Sequence, residues 1–400
     1  MTPLALTSFT ATSAVGQGLD ATYASLRARR SALAPCAFET VTLDTCIGEV
    51  AGLEAVALPP GLEEFDCRNN RLAWLGLTQD DFAGAVAACA ERFGRARVGV
   101  FLGTSTSGIL ETELAYRRRD PASGALPRGF RYRGAHNTFS LAAFVQQALS
   151  LSGPAVVISS ACSSSAKAFA SAQRAIEAGV IDAALVGGVD SLCLTTLYGF
   201  HSLQLVSGRP CRPFDVARDG ISIGEAAAFA LLERPPASRD GDGVLLVGTG
   251  ESSDAYHMSA PPPDGRGARA AMLRALAAAD LAPGDIEYIN FHGTGTPSND
   301  EAEGRAVASV LGNKVPGSST KGATGHTLGA AGALEAVICA LALRHELMPG
   351  GVNTTEIDRT LPVNYLRENC RRPLSRVMSN SFGFGGANCS LIFARADRTA

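Results

Sequence analysis

Aromatic residues are scarce in this chain: they make up 6% of 400 residues, with a single tryptophan. Acidic and basic residues nearly cancel, leaving a net charge of −3. That balance offers no electrostatic footprint for nucleic acid, so none is expected as a partner. The ten cysteines contain no CxxC pair, which removes zinc-ribbon and dithiol redox motifs. No apolar run reaches the roughly 20 residues a membrane helix needs, so no membrane insertion is expected. The N-terminal MTPLALTSFTATSAVGQG lacks a basic start before an apolar core, so it does not read as a signal peptide. The expected setting is a reducing cytoplasm, with most of the cysteines acting as small hydrophobes. Disorder is excluded by a chain that is 46% hydrophobic and 18% charged. The length suffices for one large domain or two.

What the chain does have is glycine, 43 residues of it, gathered around a few polar side chains. The stretch from Ala155 to Leu192 is the clearest case. An apolar run, Ala155 to Ile158, reads as a short core strand. Cys162 follows, then Ser163 to Ser165 and a helical pattern through Ala166, Phe169, Ala170 and Ile176. Gly179 stands where a helix end favours a left-handed residue. A second apolar strand begins at Ala183. One cysteine thus sits between a strand and the first turn of a helix, where the helix dipole favours a thiolate. Cys162 is the nucleophile candidate.

The second half of the chain echoes the first. A helix and strand lead into GTSTSG at Gly103 to Gly108, and a helix over Gly267 to Ala279 and a strand over Glu287 to Phe291 lead into HGTGTP. The segment from Thr320 then enters a long small-residue helix, as the Cys162 segment does. This predicts a duplicated α/β unit with mostly parallel central sheets. Pro235 to Gly243 reads as the boundary. It divides the chain into 1–235, which carries the cysteine, and 236–400. The arginine-rich stretch Glu111 to Phe139 fits no regular pattern.

Four glycine-rich knots carry the polar candidates: Cys162 in SSACSSSA, His292 in NFHGTGTPSNDEAE, Lys321 and His326 in SSTKGATGHTLGAAGA, and the late SNSFGFGGAN. Glycine lets substrate and backbone approach such side chains closely. The four motifs, in this order, resemble the β-ketoacyl-acyl carrier protein synthases of the elongating Cys-His-His kind, relatives of the thiolases. The resemblance implies the thiolase fold, an α/β fold of two related halves in five layers, α-β-α-β-α. It implies a 3-oxoacyl-[acyl-carrier-protein] synthase, an acyltransferase that condenses an acyl chain with malonyl-acyl carrier protein.

The resemblance also assigns roles. Cys162 accepts the acyl chain. His292 and His326 bind the malonyl thioester carbonyl and stabilise the enolate formed as CO₂ leaves. Lys321 sets the electrostatics, with Glu303 as its partner. The N–H groups of Cys162 and Phe384 form an oxyanion hole, and Phe382 and Phe384 form a gate. Thr294 and Thr296 bind the pantetheine arm, and Thr106 lines the acyl pocket. Arg68, Arg71 and Arg209 meet the acidic carrier protein. Asn290, Glu335, Ser379 and Asn380 match a structural cation site of some relatives. No cofactor is implied beyond the carrier protein's own phosphopantetheine. DCRNNRLAWL, from Asp66, is similar to the ketosynthases of bacterial pigment and aryl-polyene clusters. The family as a whole implies a homodimer, and that branch a heterodimer with a ketosynthase-like chain-length factor. Two alternatives stand beside the synthase: a chain-length-setting partner subunit, which loses the nucleophile, and a CoA-dependent thiolase, which needs a second catalytic cysteine in the late loop.

Overall fold

A computed structural model describes residues 1–235 and 243–398. The expected boundary at Pro235 to Gly243 falls largely outside the described residues. Ten strands build the frame. In the first half they are β1 (Leu4–Ser13), β2 (Val98–Gly103), β3 (Ala155–Ile158), β4 (Ala183–Asp190) and β5 (Ala226–Glu233). In the second they are β6 (Val244–Ser253), β7 (Tyr288–Asn290), β8 (Pro316–Ser318), β9 (Arg376–Gly383) and β10 (Ala387–Arg395).

The two sets repeat one another strand for strand. The first runs β1-β5-β4-β2-β3 and the second β6-β10-β9-β7-β8. In each, the first two pairings are antiparallel and the last two parallel. The duplication expected from the helix-strand-glycine echo is therefore present, each half repeating the other's order and strand sense; the sheets are not mostly parallel as expected, since two of the four pairings in each half are antiparallel. A short antiparallel contact, Leu4–Leu6 against Leu246–Val244, joins the halves into one 12-stranded sheet.

The layers follow from the apolar patterns. Two helices, α4 (Ser164–Glu177) and α7 (Ala331–His345), lie between the two sheets. Helix α7, AGALEAVICALALRH, is apolar almost all round, as a helix covered on every side must be. The surrounding stretch Leu328–His345 is long and apolar enough to cross a membrane, but it is 89% buried inside the protein. Gly332 makes the close crossing of the two central helices feasible: a Cβ there would come within 2.7 Å of the Ala166 backbone. Outside the first sheet pack α1 (Arg68–Leu77), α2 (Phe82–Phe93) and α3 (Ser140–Ala148). Outside the second pack α5 (Arg266–Ala279) and α6 (Pro297–Leu311). The result is the five-layer thiolase arrangement.

One local expectation also needs correction. β3 is an edge strand, half-exposed along its length, not a core strand; an apolar run of four cannot by itself tell the two apart. The strand expected from Ala183 is present as β4 and runs through Gly187 and Gly188 to Asp190. Helix α6 opens directly after HGTGT, with Pro297 at its first turn, where proline is well placed to start a helix.

Candidate active site

Cys162 lies between β3 and α4, two residues before the helix begins at Ser164. Its thiol is 5% exposed. The Sγ lies 3.1 Å from His326 Nε2, which reaches it from the other half of the chain. The His292 and His326 rings meet edge to face with centroids 5.3 Å apart. Ligating atoms of Cys162, His292 and His326 all lie within 4.8 Å of one another.

The hydrogen bonds set the tautomers. His326 Nδ1 accepts the Leu328 N–H at 3.3 Å, so the ring proton sits on Nε2, facing Cys162. His292 Nδ1 lies 3.5 Å from the Lys321 ammonium, which also donates to the His292 carbonyl. An ammonium has only protons to offer, so His292 too carries its proton on Nε2. Burial and the nearby Lys321 charge hold both histidines well below the usual imidazole range, so both are neutral donors. With the Nε2 lone pairs replaced by N–H bonds, the trio is arranged to hold a developing oxyanion rather than a metal.

The thiol departs from expectation. Burial pushes Cys162 up to about 12. The Lys321 charge and the Phe384 N–H pull it down, while Asp190 and Glu335 push it up. Desolvation of the anion outweighs the helix end, so the resting group is a thiol.

The partner assigned to Lys321 is also corrected. Its ammonium pairs with Glu335 on α7, and both side chains are buried. Glu303 instead accepts the N–H groups of His292 and Gly293, each at 2.8 Å, and the Asn380 amide at 3.2 Å. Its place is to shape the turn that presents His292. Burial raises Glu303 to about 7 against the pull of these donors.

A cleft opens onto Cys162, His292 and His326. Thr294 and Thr296 line it, with their hydroxyls 2.9 Å apart. Phe382 and Phe384 line it as well. Phe382 packs edge-on to His292, and Phe384 stacks at a tilt on Phe200. The Phe384 loop turns through Gly385 and Gly386, both in the left-handed region at φ 76° and 78°. Cys389 is fully buried in β10.

Other expected residues lie elsewhere. Arg68 is not a surface contact: it is 4% exposed and forks onto Glu225, with Glu49 and Glu54 alongside. Arg71 is half-buried and bidentate to Asp66. Arg209 is exposed. Thr106 is fully buried, and its hydroxyl donates to Asp190 at 2.8 Å. Asn290 is fully buried with neither amide atom hydrogen-bonded among the described residues. Asn380 is fully buried but already bonded, to Glu303 and Ser390. Asp190 and Asp300 escaped the sequence reading. Asp300 is fully buried and holds the N–H groups of Phe214 and Thr294; its only signal was an acidic residue after HGTGTP.

The duplicated fold thus brings a cysteine at a strand-helix corner against two paired neutral histidines, on the frame of the thiolase fold. The chain belongs to the β-ketoacyl synthase family: the family's N-terminal domain model matches residues 79–237 and its C-terminal domain model residues 244–355. It is 39% identical to 3-oxoacyl-[acyl-carrier-protein] synthase 2 of Mycobacterium tuberculosis over 59% of this chain, a match that spans 60% of that protein's length. The Coxiella burnetii enzyme of the same name is 34% identical over 75% of each chain. Among solved structures, the ketosynthase ApeO of Xenorhabdus doucetiae, determined in complex with its chain length factor ApeC, superposes with a TM-score of 0.89 at 39% identity, covering 98% of both chains.

Proposed function

We propose that this chain is a catalytic 3-oxoacyl-[acyl-carrier-protein] synthase that elongates acyl chains with malonyl units. One observation carries the reading: the Cys162 thiol lies within 3.1 Å of His326, whose proton is held on the facing nitrogen. In acyl transfer, sulfur of Cys162 attacks the acyl thioester carbon. The carrier's thiol leaves and takes the proton that Cys162 gives up. The Phe384 N–H, which already points at Cys162, serves the oxyanion together with the Cys162 N–H. In the second step the malonyl C–C bond breaks and CO₂ departs. Its electron pair forms an enolate whose oxygen takes both Nε2–H donors. The enolate carbon then attacks the acyl-Cys162 carbonyl, and the Cys162 sulfur leaves as a thiolate that takes a proton from solvent to restore the thiol.

Thr294 and Thr296 line the cleft where the pantetheine arm would enter. Arg209 remains the basic residue available to an acidic carrier protein. Asn290, Glu335, Ser379 and Asn380 offer hard oxygen ligands, and the unpartnered Asn290 amide fits a structural cation there. Such an ion would brace α7 and β9; no step depends on it. DCRNNRLAWL and the full-length match to ApeO favour the aryl-polyene branch, with a chain-length factor as partner and work in the cytoplasm.

The presence of Cys162 weighs against a chain-length-setting subunit. Cys389, buried in a strand, weighs against a thiolase. The test is mass spectrometry after loading with acyl-carrier protein. An acyl adduct on Cys162 and CO₂ release from malonyl-carrier protein are expected. Folded protein that takes no adduct would overturn the reading in favour of a partner subunit.

A further inference from the structure

One buried carboxylate beside the site has been given no role by the chemistry above. Asp190, the last residue of β4, is fully buried. Its Oδ1 accepts the Thr104 hydroxyl and the Ser105 N–H, both at 2.7 Å, and the N–H and hydroxyl of Thr106, both at 2.8 Å. Its Oδ2 accepts the Gly329 N–H at 2.5 Å. Every one of these donors is neutral. The first four belong to GTSTSG of the first half, and the last to the turn that precedes α7 in the second.

Each of these segments leads to strained backbone next to a reacting side chain. Ser105 donates its hydroxyl to the carbonyl of Ala161, the residue before Cys162, and Ala161 sits at φ 52°. Gly329 follows Leu328, which also sits at φ 52° and whose N–H sets the His326 tautomer. A non-glycine residue in the left-handed region is strained and persists only when its surroundings impose it. Burial raises the Asp190 pKa, but the five donors on its two oxygens favour the carboxylate, and bonds to an ionised acceptor are roughly twice as strong as neutral ones, which suits a group that must impose two such turns.

We propose that Asp190 is a positioning residue that clamps these two turns, one from each half, and so holds Cys162 against His326 and keeps the His326 proton on Nε2. The catalytic part of this assignment rests on the condensing-enzyme reading; the tautomer part does not. An aspartate fits the role because both of its oxygens face donors. An asparagine of the same shape must aim its NH₂ group at N–H or O–H donors on one side.

The test uses the full chain carrying Asp190→Asn and ¹⁵N-labelled histidine at pH 8. The His326 signals are identified by their loss in His326→Gln. The native protein is expected to show Nε2 protonated and Nδ1 bare, and the variant a mixture of tautomers. Malonyl-thioester decarboxylation is expected to lose about 30-fold in kcat, with KM changed less than about twofold. Adding Ala161→Gly, which accepts the left-handed turn without strain, is expected to restore acyl loading of Cys162 but not decarboxylation. An unchanged His326 spectrum, or a kcat within about twofold of native, overturns the proposal. If Asp190→Asn does not fold, Thr104→Val removes a single donor; the same pattern at about threefold is expected, and no change in spectrum and rate overturns the proposal. Native enzyme that releases no CO₂ would refute the condensing-enzyme reading, while the His326 spectrum would still decide the role of Asp190.

Discussion

Replacing Lys321 by methionine removes a single charge that three parts of the site share. Lys321 is 1% exposed and its ammonium touches Glu335, the His292 carbonyl and His292 Nδ1. The first consequence is for stability. Glu335 is 2% exposed and would lose its cation. Breaking a buried pair by removing one partner costs about 3–5 kcal/mol. Part of that is relieved by protonation. Burial already holds Glu335 up near 7, and Lys321 is what pulls it down. In Lys321→Met its carboxyl moves higher still, so it folds neutral over a wider range while the unfolded chain ionises near the ordinary value. The loss of stability therefore grows as pH rises, and is larger at pH 8 than at pH 6. The second consequence is chemical. His292 loses the donor that fixes its tautomer, and Cys162 loses the charge that most lowers its pKa. One of two oxyanion donors becomes unreliable, which is worth about 100-fold in decarboxylation. Urea unfolding at the two pH values and CO₂ release from malonyl-carrier protein measure both effects. A stability loss that does not change with pH, or decarboxylation within about threefold of native, would refute the argument.

Cys162→Gln should abolish condensation while decarboxylation persists, because the two imidazole donors do not need the thiol; wild-type condensation in that variant would sink the assigned mechanism. Arg68→Leu strands Glu225, which is fully buried, and should cost about 3–5 kcal/mol in unfolding free energy. It should leave the KM for carrier protein unchanged, whereas Arg209→Glu should raise it; the reverse pattern in steady-state kinetics would return Arg68 to the docking surface. Glu303 has its folded pKa raised by burial from 4.5 to about 7. Its contribution is therefore fully present below pH 4.5 and is lost as pH rises to 7, a fall of about 3 kcal/mol. Glu303→Gln should remove that part of the pH dependence, and an unaltered slope in urea titrations from pH 4.5 to 8 would contradict it.

The duplication was legible because it is written in local pattern. A helix, a strand and a glycine knot recur, and each strand keeps its place whatever packs on it. Cys162, His292, Lys321 and His326 were legible for the same reason: each stands alone among small residues at the end of a strand or the start of a helix. Side-chain partners obey a different logic. Lys321 reads as the partner of Glu303, but Glu303 and Glu335 lie on different helices, α6 and α7, with only the second turned toward the ammonium. Arg68 in RNNR reads as the basic edge of a helix because its partner, Glu225, is 157 residues away. Asp190 ends an apolar strand, and its donors come from segments 84 to 139 residues distant. β3 carries the composition of a core strand, and only the sheet order shows that it pairs on one side alone among the described residues of this chain. In each case the missing information was which distant segment completes a buried charge or covers a face. A charge inside an apolar pattern cannot stay unpaired in a folded core. Glu335 in α7, Asp190 after the β4 glycines and Glu225 before β5 are all such charges, and each lies within the machinery or braces it. An isolated charge in an apolar run therefore announces that a partner exists, and the fold supplies which residue it is.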